Sequence, residues 1–317
     1  TPVSTSISPE AFIQHLELIE QLGFQVQPLP KILERIQQGL AFKQDTLGIS
    51  FDDGYLSIYE NAFPELKKKG FPFTIFISPE AIDHHYGNSL SWEQLKEMQD
   101  NGATIANHSL DHDHLLARKG DESLDSWRKR IQQNISTAQQ RLIKKLKTPY
   151  KLFAYPYGEF NHHLQDLLKA QGFSAFSQQS GPISSYSHMQ ALPRFPASGP
   201  YARIETLSVK LKSLAFKIIG EKPKSKIIKF AEAAPTLDLT LMANDVNYKH
   251  LQCFYLGKRI ETRVIKNNER LELSAYHGES LKAGRSRYNC TAPSLSQNRY
   301  YWYSMPFVVL NKQGNIE

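Results

Sequence analysis

Leu47-Gly48-Ile49-Ser50-Phe51-Asp52-Asp53-Gly54 decides the fold of this chain. A short apolar run ends abruptly on two carboxylates and a glycine. A run too short for a helix and bounded by a turn signal reads as a buried strand. Three more follow: Phe73-Thr74-Ile75-Phe76-Ile77, Ala103-Thr104-Ile105-Ala106 and Lys151-Leu152-Phe153-Ala154-Tyr155. Between them lie amphipathic segments with start and stop signals. Ser8-Pro9 supplies an N-cap and a first-turn proline, with Phe12, Leu16 and Ile19 on one face and Gly23 at the close. Ser91 and Gln94 make a capping box, and Gly70, Gly102 and Gly172 end three further helices. Helices ended by glycine and followed by a strand are βα units. They predict a parallel sheet or barrel over residues 1–220.

From Pro235 the texture changes. Leu237-Asp238-Leu239-Thr240-Leu241 and Leu271-Glu272-Leu273 alternate apolar and polar residues. Leu251 to Tyr255, Thr262 to Ile265 and Tyr300 to Val309 are further short runs, with turn signals at Asn267-Asn268 and Gly278. This predicts a small β-sandwich over residues 235–317, joined to the first domain by a linker at 221–234. The fold class is therefore α/β, a barrel followed by an all-β domain. Cys253 and Cys290 match no zinc motif and favour one disulfide within the second domain, which needs an oxidising compartment. Two reduced thiols are the alternative.

The chain of 317 residues carries a net charge of +7. Its basic runs, Lys67 to Lys69 and Lys222 to Lys229, are short and fall at a helix end and in the linker. They read as solvated surface rather than a nucleic-acid interface, although attraction to an anionic envelope or polymer is compatible with them. No stretch approaches the ~18 apolar residues that would span a bilayer. Thr1 to Ser6 has neither the basic start nor the apolar centre of a signal peptide, and a removed one would leave no trace.

Three groups carry chemistry. Asp52-Asp53-Gly54 places two carboxylates side by side; in a regular strand they would face opposite ways, so a shared site requires the chain to leave strand geometry at the glycine. His108-Ser109-Leu110-Asp111-His112 sets two imidazoles four residues apart, at a spacing that suits one cation if the chain coils into a helical turn. Tyr155-Pro156-Tyr157-Gly158 is an irregular loop that can aim the Tyr157 N–H at a developing oxyanion. Each has an ordinary reading, as an Asp-Asp-Gly turn, a His-rich polar loop or a plain Pro/Gly turn. All three, however, directly follow a predicted strand, where parallel barrels gather their active sites.

In this order the three motifs resemble those of the NodB-like polysaccharide deacetylases, carbohydrate esterase family 4, over roughly residues 5–215. The segment from Ser6 to Leu29 is similar to the branch of poly-N-acetylglucosamine deacetylases. The resemblance implies a distorted (β/α) barrel and a hydrolase that removes acetyl groups from an acetylated polysaccharide with a divalent cation, most often Zn²⁺. It implies Asp53, His108 and His112 as metal ligands, Asp52 as general base and Tyr157 as oxyanion donor. It also implies a periplasmic or extracellular location.

Two departures matter. Many members carry an arginine where this chain has Ala154, and Arg194 of Leu192-Pro193-Arg194-Phe195 is the candidate to supply that charge from another strand. No Leu-His motif provides a general acid. In the similar branch a Tyr-His near the N-terminus acts, and that segment would lie before Thr1; His114 and His188 are the fallback candidates. Rival readings are an O-acetyl esterase and a catalytically dead glycan-binding protein. Arg299-Tyr300-Tyr301-Trp302-Tyr303 reads as half core and half surface more readily than as a sugar-stacking stripe.

Overall fold

The structure, a computed structural model, describes residues 5–316. The reading of Thr1 to Ser4 lies outside them. Five parallel strands, paired in sequence order, form the first sheet: β1 (Ile49–Phe51), β2 (Phe73–Ile77), β3 (Ala103–Asn107), β4 (Leu152–Ala154) and β5 (Ser174–Phe176). Every residue of β2 and β3 is buried, as expected of parallel strands covered by helices on both faces. The result is an open, partial (β/α) barrel.

The run from Leu47 to Phe51 is not one strand. Thr46–Leu47 pairs in parallel with Gln25–Val26, whereas Ile49–Phe51 pairs with β2. Gly48 lies at the break because the chain presses on helix Leu29–Gln37: a Cβ there would stand 2.3 Å from Leu29 Cδ2. The helix signals hold. Ser8 Oγ accepts the Ala11 N–H at the start of helix Pro9–Gln21, and Ser91 and Gln94 make both bonds of the capping box. Gly70, Gly102 and Gly172 all adopt positive φ where their helices end.

Helix Leu124–Leu146 has a second task. Asn134 accepts the Leu110 N–H at 3.0 Å and donates to Asp111 at 2.9 Å, bracing the loop that follows β3.

The C-terminal region folds into two largely antiparallel sheets around one shared core. One contains Glu261–Asn267, Arg270–Tyr276, Leu237–Met242 and Ile218–Lys222; the other is built on the long pair Gly284–Pro293 and Tyr300–Val309. Residues 221–234, expected as a linker, are partly strand, because Ile218–Lys222 pairs with Leu237–Met242 and Ile227–Ile228 pairs with Tyr300–Val309. Cys253 and Cys290 face each other across adjacent strands and are joined as a disulfide.

Candidate metal centre and active-site cleft

Asp52 and Asp53 follow β1 at once, and Asp53 leaves strand geometry with φ 70°. Gly54 then takes φ 71°, and a Cβ there would meet Ile77 Cγ2 at 2.8 Å. The turn thus needs glycine for both conformation and space. It divides the two carboxylates between two partners.

Asp52 faces Arg194. The guanidinium donates to both carboxylate oxygens, Nη1 to Oδ1 at 2.7 Å and Nη2 to Oδ2 at 2.8 Å. Its Nε donates to the Ser177 carbonyl at 3.1 Å, and the fork lies 5.5 Å from the centre of the Phe76 ring. Burial alone would raise the Asp52 carboxyl. The charge and hydrogen bonds of Arg194 outweigh it and hold the group below its ordinary value.

Asp53 faces the two imidazoles. Its Oδ1 lies 3.3 Å from His108 Nε2 and 3.1 Å from His112 Nε2, and all three donor atoms fall within 4.8 Å of one another. Donors held tetrahedrally at ~2.0–2.1 Å from one cation would stand about 3.3 Å apart, so the set fits a divalent metal. The His108 ring supports this fit. Its Nδ1 lies 2.8 Å from the Ala154 carbonyl, which only accepts, so Nδ1 carries a proton and Nε2 is the ring nitrogen left to serve as a metal ligand beside Asp53. Burial pushes the Asp53 carboxyl up, but the two imidazoles beside it bring it well below the ordinary carboxylate range.

The imidazoles do not meet through a helical turn. Ser109 and His112 both adopt left-handed backbone, at φ 69° and 59°. Asn107 Oδ1 accepts the Ser109 N–H at 2.9 Å, and Ser109 Oγ accepts the His112 N–H at 3.0 Å. Short polar side chains bond the local backbone in place of helical carbonyls, which folds the loop back tightly.

Tyr157 is the fourth non-glycine residue of the rim with positive φ, at 58°. Such residues cost ~1–3 kcal/mol each and persist only where their surroundings over-determine them. The Tyr157 ring stacks on His114 at 3.9 Å and meets His112 edge-on at 4.7 Å. His114 Nδ1 in turn bonds Glu159 Oε2 at 2.8 Å, and Glu159 Oε1 is buried without a partner among the described residues. Burial pushes the Glu159 carboxyl up despite the histidine beside it.

Of the fallback acids, His114 therefore buttresses Tyr157, while His188 is not among the residues lining the cleft that holds Asp52, Asp53, His108 and His112. Ala154 contributes its carbonyl to His108 in place of an arginine side chain. Sequence reasoning missed Tyr55, a cleft residue whose phenol is pushed up by burial and by the Asp53 carboxylate. Trp302 packs edge-on against Phe195 at 5.5 Å, and Arg299 pairs with Asp45, so that stripe docks the C-terminal sheet onto the barrel.

The model of one family, polysaccharide deacetylase, matches residues 40–176. Residues 40–176, which hold the Asp52-Asp53 and His108/His112 motifs, are thus similar to the polysaccharide deacetylases. The poly-β-1,6-N-acetyl-D-glucosamine N-deacetylase of Staphylococcus epidermidis is 28% identical over 200 residues, covering 61% of this chain and 68% of that protein. The enzyme of the same name from Staphylococcus aureus is 27% identical over 194 residues, covering 60% and 67%. Among solved structures, IcaB from Ammonifex degensii is 26% identical with a TM-score of 0.57, covering 67% of this chain and 93% of that one. The deacetylase PplD of Streptococcus pyogenes shares the fold at 20% identity and the same TM-score, covering 63% and 85%. Asp53, His108 and His112 form the one group of three or more His, Cys, Asp or Glu side chains among the described residues whose donor atoms are close enough to hold one metal ion. No helix among them is long and apolar enough to cross a membrane.

Proposed function

We propose that this chain removes N-acetyl groups from a β-1,6-linked N-acetylglucosamine polymer outside the cytoplasm, with Zn²⁺ as its metal. The observation that carries the reading is the division of labour at Asp52-Asp53: one carboxylate shares a cation position with two imidazoles while its neighbour is held by Arg194. The named activity of the staphylococcal relatives supports the substrate class, and the Cys253–Cys290 disulfide supports an oxidising compartment. One carboxylate and two neutral imidazoles with open positions are a donor set of catalytic zinc sites.

A divalent cation bound there would polarise the acetyl carbonyl and lower the pKa of water. The remaining work belongs to the protein. Asp52 takes a proton from the attacking water, Arg194 keeps that carboxylate ionised and oriented, and when the C–N bond breaks the sugar amine leaves with a proton, so that one water is consumed for one acetate and one free amine. The Tyr157 N–H donates to the oxygen that gains charge as the carbonyl becomes tetrahedral.

The test is acetate release from β-1,6-linked N-acetylglucosamine oligomers, with O-acetylated xylan alongside. Release from the first should stop with a chelator and return with Zn²⁺. Release from xylan alone would favour an O-acetyl esterase, and release from neither would favour a glycan-binding role.

Arg194→Ala sharpens the assignment through pH. The base works only when ionised, and Arg194 is the group that overcomes its burial. Without it burial is less opposed, so the acid limb of kcat/KM should move to higher pH. An unmoved limb would separate Arg194 from the base.

A further inference from the structure

We propose that Arg285, on the C-terminal sheet, is a positioning residue for the Tyr157 turn, so that the second region completes the deacetylase site. This rests on reading the Tyr157 N–H as the oxyanion donor. The turn is strained at φ 58° and must be held. Two of its restraints are local: the Gly158 N–H donates to the Tyr155 carbonyl at 2.8 Å, and the Glu159 N–H donates to the Pro156 carbonyl at 3.2 Å. The third arrives from 128 residues away. Arg285 Nη1 donates to the Tyr157 carbonyl at 3.0 Å, with the guanidinium 5.8 Å from the centre of the same residue's ring.

The strand that presents Arg285 is well anchored. Gly284–Pro293 pairs with Tyr300–Val309 along its whole length and carries Cys290, which is tied to Cys253. Two residues on, and so on the same face, Arg287 Nη2 donates to the Tyr201 hydroxyl at 2.8 Å and its Nη1 lies 3.5 Å from the Gln178 carbonyl. Gln178 is the residue packed on Gly158, where a Cβ would stand 2.6 Å from Gln178 Cβ. One strand face therefore holds the turn at its carbonyl and supports the residue behind it.

Fixing the Tyr157 carbonyl fixes the peptide plane after its Cα. With φ and ψ constrained by the local bonds, the plane before it, which carries the N–H, cannot swing. A donor must sit 2.7–3.1 Å from the developing oxyanion, so a small rotation weakens the transition state without altering ground-state binding.

The experiment compares Arg285→Ala, Arg285→Lys and Gly158→Ala with the parent chain, measuring kcat, KM, metal content and thermal midpoint on the N-acetylglucosamine oligomer. Arg285→Ala should lower kcat about tenfold, the scale of losing an orienting contact one step from the chemistry, with KM and metal content unchanged. Arg285→Lys should recover part of that loss by restoring one donor. An unchanged kcat in Arg285→Ala, a rise in KM alone, or a lysine variant no better than alanine would overturn the proposal. Gly158→Ala disturbs the turn directly, through Gln178 and a φ of 73°. If it keeps full kcat, the oxyanion reading of Tyr157 itself fails. If it loses kcat while Arg285→Ala does not, only the positioning role falls.

Discussion

Asp52→Asn should leave the protein folded and metal-loaded but nearly inactive. Asparagine keeps the volume of aspartate and one oxygen to accept from Arg194 Nη1, so the half-buried guanidinium retains part of its fork. The metal donors Asp53, His108 and His112 are untouched. What disappears is the group that accepts a proton, and general-base catalysis contributes ~10²–10⁴-fold. Acetate release should fall by that range while metal content per chain stays level. Replacing Asp52 by alanine would confuse the result, because it would leave the half-buried Arg194 guanidinium without its carboxylate. A variant that turns over near the parent rate would remove Asp52 from the role of base.

His112→Ala should abolish both metal binding and activity, and it does so more cleanly than the same change at His108. His108 is only 1% exposed, its Nδ1 satisfies the Ala154 carbonyl, and its own carbonyl accepts from Ser78 Oγ at 2.8 Å. Alanine at 108 would therefore open a cavity and leave the Ala154 carbonyl unpaired, at ~1–3 kcal/mol for the orphaned acceptor. The His112 side chain is 29% exposed. Its loss removes one of three ligands with less damage to the core. Metal analysis should drop from one equivalent toward none, and activity should fall at least ~10²-fold, since even outer-shell changes at metal sites cost 10–100-fold. A His112→Ala protein that holds a full equivalent of metal would mean the cation, if any, is bound elsewhere.

Much of this arrangement was legible in the residues. Buried parallel strands are short continuous apolar runs, and glycine stops after several of the helices leave few other assignments for the first region. The three chemical motifs could be placed on one rim because each directly follows such a run. The pairing of Asp52 with a distant arginine was legible only through the resemblance, since nothing in local pattern relates Leu192-Pro193-Arg194 to β1. The route by which His108 and His112 converge was misread: i,i+4 spacing suggests a helical turn, but Asn107 and Ser109 hydrogen-bond the backbone locally and impose left-handed geometry instead. The strand Gly284–Pro293 was hidden by its composition. Arg285, Arg287 and Asn289 look like a polar loop until Ser286, Tyr288, Cys290 and Ala292 are seen to fall on the buried face. Arg285 could not have been linked to Tyr157 from sequence, because a long-range hydrogen bond to a carbonyl leaves no mark on the residue that accepts it.

The cluster of left-handed residues at Asp53, Ser109, His112 and Tyr157 also bears on how this chain would respond to engineering. Glycine relaxes such a backbone, yet at three of the four positions it would erase a proposed ligand or the aromatic wall beside them. Selection for heat resistance alone would push these sites toward an inert scaffold, and the rim's chemistry survives only under pressure for turnover. Thermal hardening of this protein should therefore begin in the C-terminal sheet that carries the disulfide and leave the mouth of the barrel alone.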